Sequence, residues 1–449
     1  MADRRFDVAV FIDARAIGWR EITLLAVCSI VLFIDGFEIY FFGKMLPAIA
    51  KGLHVTPKGM TGVVTAQQVG MAVGAFLMPP LADRIGRKPV LAMCLLVFGV
   101  LSFAGAYATT PLAMAWVRGV SGVFFSAMLP IALAFLSEMT PRRRRASFMA
   151  LALVFLSVGN FASGAMTAWL LDIYGWRIGF WLGAIMPLLA LPLFLLLHES
   201  LPFRVVRDPA DARIGGAIRT IDPGAGIVGG EAFHLGEPVE TERLGPLAMF
   251  GPRYRVQTAI LWCACLMAMG NIALLANWLP TYFQELGGVR IETFAKYLMI
   301  GFVGGALGTV AVGWLMDRMN PYILIAGVYV VDALAIGSLG YLPAGTLMFV
   351  VGLVVWNFCQ TGGQTGINNL ATLGYPPEMR SSGIGWAGGA GRLGGIAFPL
   401  TGGLALGWSL SLHTLLLVVA IPAFLVAVLI VLLGVTNARH DPMRSALPA

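Results

Sequence analysis

Asp35 and Glu38 stand in the middle of one long apolar run, Arg118 in a second and Arg392 in a third. An ionisable side chain at the centre of a membrane helix costs about 2.5–3.5 kcal/mol on insertion scales, so each calls for a partner or a function. Asp35 and Glu38 are three residues apart and project from one helix face, roughly 4.5 Å apart along its axis. Two carboxylates this close cannot easily both ionise in a low dielectric. At least one should therefore hold a proton near neutral pH, as a proton-coupling site requires. Depth names a partner. Asp35 lies about 13 Å along the helix from Lys44, and Arg118 about 10 Å in from Pro111, so Arg118 can reach the carboxylate level. Arg118 either neutralises Asp35 or Glu38, or holds a substrate anion when they are protonated; a fixed ion pair that only positions the first helix is the alternative.

Arg392 lies roughly 16 Å into its span, close to mid-membrane. Its planar fork matches a carboxylate, so an anionic substrate explains it best, against a structural bond to helix-end carbonyls or to Asp332. Asp332 itself reads as structural. Around these charges Asn357, Gln360, Gln364 and Asn368 recur at three and four residues and form one amide stripe. Such a stripe must face protein or water rather than lipid. With Gln67, Gln68, Asn160, Asn271 and Asn277 it can hydrogen-bond a substrate's hydroxyl or methoxyl groups; interhelical bonding is the competing role. Tyr40, Trp278 and Trp386 are the aromatic candidates to stack on a ring, with packing in the bundle the competing and favoured role for each.

The elements that position these groups follow from composition. Of 449 residues 58% are hydrophobic and only 12% charged, with mean hydropathy +0.83, whereas an average soluble domain is about 25% charged. An ordinary soluble enzyme is excluded. A spanning helix needs about 20 apolar residues, and twelve candidate spans follow: 20–43, 61–82, 90–108, 111–137, 147–171, 178–197, 256–283, 295–316, 322–341, 344–372, 381–407 and 411–434. No small-residue cleavage site follows the first apolar run, so the first helix is expected to be retained. Most of the 30 Lys and Arg fall on the two termini and the even-to-odd loops; Lys44, Lys51, Lys58, Arg177, Arg290 and Lys296 map to the opposite face. Both termini are therefore expected to be cytoplasmic. The basic run 142–145 is a membrane anchor on this reading, and the net charge of +7 reflects topology rather than nucleic-acid binding. All five cysteines fall in spans, where packing is expected rather than a disulfide or metal site.

The organisation expected is an N-terminal segment 1–19, a six-helix half 20–198, a linker 199–255, a second half 256–434 and a C-terminal segment 435–449. Within the linker, 210–220 reads as a short surface helix and 222–230 as a turn-rich loop. The halves look like repeats: Asp83-Arg84 after the second span recurs as Asp317-Arg318 after the eighth, and 141–146 is echoed by 376–381. Two parallel repeats are the plan of secondary transporters whose substrate site lies near mid-membrane.

Several segments resemble a known family. Residues 79–88, PPLADRIGRK, resemble the G-x-x-x-D-R-x-G-R-K loop of the major facilitator superfamily, with Pro79 in place of the usual Gly. DGFE at 35–38 resembles the D-G-F-D signature of the aromatic acid:proton symporters, with Glu38 for the second Asp. So do RGVSG from Arg118, MLP from Met128, NWLPT at 277–281, GIN at 366–368, RSSGIGW at 380–386 and GRLG at 391–394. The resemblance implies an all-α fold of twelve transmembrane helices in two six-helix pseudo-repeats. It also implies a charge-relay latch at the membrane edge, formed by Asp83, Arg84, Arg87, Glu138 and Arg142, with Asp317, Arg318 and Arg380 as its counterparts in the second half.

The reading is a proton-driven importer of an aromatic carboxylate in a bacterial inner membrane, working by alternating access as a monomer. Its partners are the acid, protons and the bilayer, with no cofactor, ATP site or metal. The membrane potential contributes about 2.3 kcal/mol per charge per 100 mV, so a monoanion is driven in electrically only if more than one proton accompanies it. Proton-antiport export of aromatic or drug-like compounds is the alternative. A membrane-embedded acyltransferase would need an intramembrane His, Ser or Cys site, and the five histidines map to loops or helix ends.

Overall fold

A computed structural model describes residues 5–15, 17–195, 197–221, 232–235, 250–251, 254–374, 377–408 and 410–440. The chain opens with a short strand β1 (Arg5–Asp7) and helix α1 (Val8–Ala14), capped by Asp7, whose carboxylate accepts from Ala9 and Val10 N–H. The long helices of the first half are α2 (Trp19–Gly52), α3 (Thr61–Ile85), α4 (Arg87–Gly105), α5 (Pro111–Met139), α6 (Arg142–Trp169) and, after the one-turn α7 (Leu171–Tyr174), α8 (Arg177–Leu195). The linker supplies α9 (Leu201–Arg207), α10 (Ala212–Ile221) and strand β2 (Ala232–His234). The second half holds α11 (Arg255–Glu285), α12 (Ile291–Met316), α13 (Pro321–Leu339), α14 (Leu347–Gly374), α15 (Pro377–Ala405) and α16 (Leu412–His440).

Ten helices among the described residues are long and apolar enough to cross a membrane by length and composition. The two further long helices, α14 and α15, fall outside that set because they carry the amide stripe, the glycine pairs and the Arg380 and Arg392 charges. Polar residues that lower hydropathy are what a solute pathway needs, and they weaken the span signal in sequence. Helix starts follow local chemistry. Thr110 accepts from Ala113 N–H ahead of Pro111, and Asn320 accepts from Tyr322 and Ile323 N–H ahead of Pro321. Each places a capping oxygen before a proline whose missing N–H costs nothing in the first turn.

The first helix departs most from expectation. Its span was expected to end at 43, but α2 continues to Gly52 through Pro47. Lys44, expected at the membrane face, is fully buried within it. Arg177, expected on the same face, begins α8 and its Nε donates to the Ala106 carbonyl at 3.0 Å.

Two compact units divide the chain. One comprises 1–39, 69–162 and 177–240, and the other 40–68, 163–176 and 241–449. The core of the first unit is built from Leu24, Val31, Leu95, Phe98, Phe125, Phe135 and Phe194, on α2, α4, α5 and α8. In the second, α12 packs on α14, α11 on α15 and α13 on α16. Because lipid tails are as apolar as leucine, close packing and hydrogen bonds rather than removal from water hold such helices together.

Outside the spans, the N-terminal segment and the linker fold onto each other. Strands β1 and β2 pair in parallel, Phe6 opposite Phe233 and Asp7 opposite His234. Val8 and Ile12 of α1, Leu201 and Val205 of α9, Ile214 and Ile218 of α10 and Phe233 form a separate apolar cluster. The expected helix at 210–220 is therefore present as α10, but one of its faces is buried. The turn expected at 222–230 lies outside the described residues.

Candidate functional site

Helix geometry places Asp35 and Glu38 on one face of α2, and both are buried, at 4% and 1% exposure. Glu38 Oε1 forms an ion pair with Arg118 Nη1 of α5, itself 2% exposed. The Arg118 guanidinium carbon also lies 5.8 Å from the centre of the Phe180 ring on α8. Glu38 Oε2 makes no hydrogen bond among the described residues and lies against Gly183, where a Cβ would stand 3.1 Å from it. Of the two carboxylates, Glu38 is thus the one joined to Arg118, while Asp35 makes no hydrogen bond or ion pair among the described residues and keeps slight exposure. Of the two acids that the sequence brings to the depth of Arg118, Glu38 meets it in the first unit.

Arg392 on α15 is half-buried and makes no hydrogen bond or ion pair among the described residues. Asp332, the acid considered as its partner, is buried on α13 with Oδ1 lacking a hydrogen-bond partner among those residues. On α14, Gln364 Nε2 donates to Asn368 Oδ1 at 3.2 Å. Its Oε1, and the Nε2 of Gln360 one turn away, are buried without hydrogen-bond partners among the described residues. A donor and an acceptor about 6 Å apart on one helix face can bind a hydroxyl that both accepts and donates a hydrogen bond.

Other candidates are otherwise engaged. Asn277 and Asn357 donate to the carbonyls of Ala273 and Leu353 one turn back on their own helices, at 2.7 and 3.0 Å. Trp278 is fully buried, its Nε1 donating to the Pro399 carbonyl at 2.9 Å and its ring stacked on Tyr282. That makes it a bond between α11 and α15 rather than an open ring face. Trp386 is half-exposed and stacks on Trp262, centroids 5.6 Å apart and planes 11° from parallel. Tyr40 lies against Phe302 at 5.7 Å. Trp262 and Phe302 were not singled out in the sequence, because nothing local distinguishes them from other aromatic side chains of apolar spans.

At the membrane edge Arg87 is the hub. It reaches Glu138 at 2.8 Å and Asp83 at 3.1 Å, and its guanidinium lies 5.2 Å from the Phe203 ring centre. Glu138 also accepts from the Ser200 hydroxyl, and Ser200 caps α9. Glu199 accepts from the Lys88 N–H. The turn between α3 and α4 depends on Gly86, whose φ of +114° is one that side-chain-bearing residues rarely adopt. Arg142, expected beside Glu138, instead pairs with Asp13 at 3.3 Å. Ser200 and Glu199 were missed, although Ser before Leu-Pro is a helix-start signal. His198 beside them is held below its usual pKa by burial and by Arg20, Lys88 and Arg204, so it adds no charge to this cluster. In the second half Asp317 caps the end of α12, and the Arg318 guanidinium sits 3.7 Å from the Trp314 ring centre. Arg84 is exposed. The side chain of Arg380 lies outside the described residues. A groove of about 340 Å³ beside Arg87 is lined by Asp83, Glu138, Pro202, Phe203, Val206 and Arg207. It sits about 30 Å along α5 from Arg118 and belongs to the edge, not to the buried charges.

The family model of the Major Facilitator Superfamily matches residues 28–399. The gallate transporter of Pseudomonas putida is 34% identical over 445 residues, covering 99% of this chain and 98% of that protein. The 4-hydroxybenzoate transporter PcaK of Pseudomonas aeruginosa is 31% identical and covers 97% of each. Among solved structures, a bacterial homologue of the human lysosomal transporter Spinster aligns with a TM-score of 0.73 over 97% of this chain and all of that one, at 13% identity. The fold and these matches define a multi-pass membrane transport protein, not an enzyme. Within that class the chain belongs to the aromatic acid transporter family of the major facilitator superfamily.

Proposed function

We propose that the protein imports an aromatic carboxylate together with protons across a bacterial inner membrane, by alternating access, with both termini cytoplasmic and with α14 and α15 completing twelve spans. The observation that carries the reading is Arg392, a half-buried cation on a membrane helix with no anionic partner among the described residues. A substrate carboxylate supplies the missing charge, and a bidentate guanidinium contact would orient it. Gln360 and Gln364 offer an unpaired donor and acceptor for ring hydroxyls, in keeping with relatives named for gallate and 4-hydroxybenzoate. Asp35 is the proton carrier: it has no ion pair among the described residues, whereas Glu38 is committed to Arg118. Halves at 20–198 and 256–434 are the moving repeats.

Uptake of labelled 4-hydroxybenzoate and gallate by cells expressing Arg392→Ala and Arg392→Lys tests the reading. The expected result is a KM raised at least roughly tenfold in Arg392→Ala, one charged contact's worth, with partial recovery in Arg392→Lys. An unchanged KM in Arg392→Ala would contradict it.

A further inference from the structure

Asp332 lies about 16 Å along α13 from Pro321, at the middle of the helix, and is 1% exposed. Ile325, Tyr329, Asp332 and Ile336 are all buried and recur at three and four residues, so they share one face of α13. The helix packs on α14 and α16 within the second unit. Neither Asp332 nor Tyr329 makes a hydrogen bond or ion pair among the described residues, and Asp332 Oδ1 and the Tyr329 hydroxyl are both shut away without a partner. The sequence of the neighbouring helices offers no cation. Helices α13 and α14 carry no Lys or Arg, and on α16 the first is Arg439 in its last turn. The titratable groups that face Asp332 are Tyr329 on its own helix and Cys359 on α14, with Cys265 of α11 facing Tyr329; residues 415–435 of α16 have none.

A carboxyl kept for structure is held by a cation or by hydrogen-bond donors, and Asp332 has neither among the described residues. Buried without either, it is tolerable only as the neutral acid. Its face also meets the amide stripe. A Cβ at Gly363 of α14 would stand 2.9 Å from the Tyr329 ring and 3.4 Å from its hydroxyl oxygen. Gly363 adjoins Gln364 and lies one turn from Gln360, the two amides with buried unpartnered atoms.

We propose that Asp332 is a second proton-binding site, loaded and shut from water in this structure, so that each aromatic acid anion enters with two protons, one on Asp35 and one on Asp332. The inference rests on the proton-coupled reading above and extends it to the stoichiometry. Each carboxylate takes one proton outside to become a neutral acid and returns it inside. Two protons and one monoanion carry one net positive charge inward, so an inside-negative potential drives uptake. With Asp332 replaced by a neutral amide, one proton and one anion cross together and the potential has nothing to act on.

The test is accumulation of labelled 4-hydroxybenzoate by proteoliposomes holding wild type, Asp332→Asn or Asp332→Glu. One arm imposes an inside-negative potential of about 100 mV at equal pH, which for one net charge permits up to about fiftyfold accumulation. The other imposes an inward pH gradient with the potential clamped at zero. Wild type is expected to accumulate the acid at least about tenfold in the first arm. Asp332→Asn is expected to stay below about twofold there yet still accumulate in the pH arm, and Asp332→Glu to regain the response to potential. An Asp332→Asn response to potential equal to wild type overturns the second site. So does a wild type that follows the pH gradient but not the potential. Because the acid is neutral in this structure, the amide of the same shape must assemble: failure of Asp332→Asn to reach the membrane, or to accumulate in either arm, makes Asp332 structural and overturns the site. A wild type that accumulates nothing in the pH arm overturns the proton-coupled reading itself.

Discussion

Glu38 and Arg118 meet as a buried ion pair, and breaking such a pair from one side costs about 3–5 kcal/mol in general. Glu38→Gln is therefore expected to lower the melting temperature of the detergent-purified protein by many degrees, read by intrinsic fluorescence. Asp35→Asn removes no ion pair and should melt near wild type. Equal losses in the two variants would mean that the carboxylates share one structural role. That the two acids share a face was legible because residues three apart on a helix do so whatever surrounds them, and depth brought Arg118 to their level; which acid it joins was not. Lys44 was not legible. A lysine after an apolar run, followed by Pro47, has the pattern of a helix end. Its contacts with Ser163 and Phe302 come from more than a hundred residues away in sequence. Trp278 shows the same limit: its type invites ring stacking, but only its bond to Pro399 shows that its ring is spent on packing.

At the scale of elements, Arg87 ties the end of α3 to the end of α5 and the start of α9 through Asp83, Glu138 and Phe203. A latch of this kind sets how often the transporter changes state rather than how well it binds. Arg87→Ala should accordingly lower Vmax severalfold while KM stays within about twofold; a raised KM with normal Vmax would place Arg87 in binding instead. The edge module of β1, α1, α9, α10 and β2 has its own apolar cluster. A buried isoleucine contributes about 1.5–3 kcal/mol, so Ile12→Asp should open the module to limited proteolysis around α9 while the spans stay intact. Resistance of α9 to the protease in that variant would argue against a cooperative module. Helix positions were largely legible, since an apolar run of the length of a bilayer has few other folds. The partnership of β1 with β2 was not, because three-residue strands joined across more than two hundred residues leave no periodic trace.

For the whole molecule, the repeat of Asp83-Arg84 as Asp317-Arg318 and the match across residues 28–399 assign the fold. The central claim is that an intramembrane acid couples protons to an anion's movement. Purified protein in proteoliposomes, given an inward proton gradient and labelled 4-hydroxybenzoate with a trapped pH-sensitive dye, tests it most directly. Wild type should concentrate the acid and acidify the lumen in step. Asp35→Asn should do neither, yet still exchange labelled for unlabelled acid at equal pH. Accumulation by Asp35→Asn at the wild-type level, or wild-type uptake indifferent to the gradient, would contradict the account.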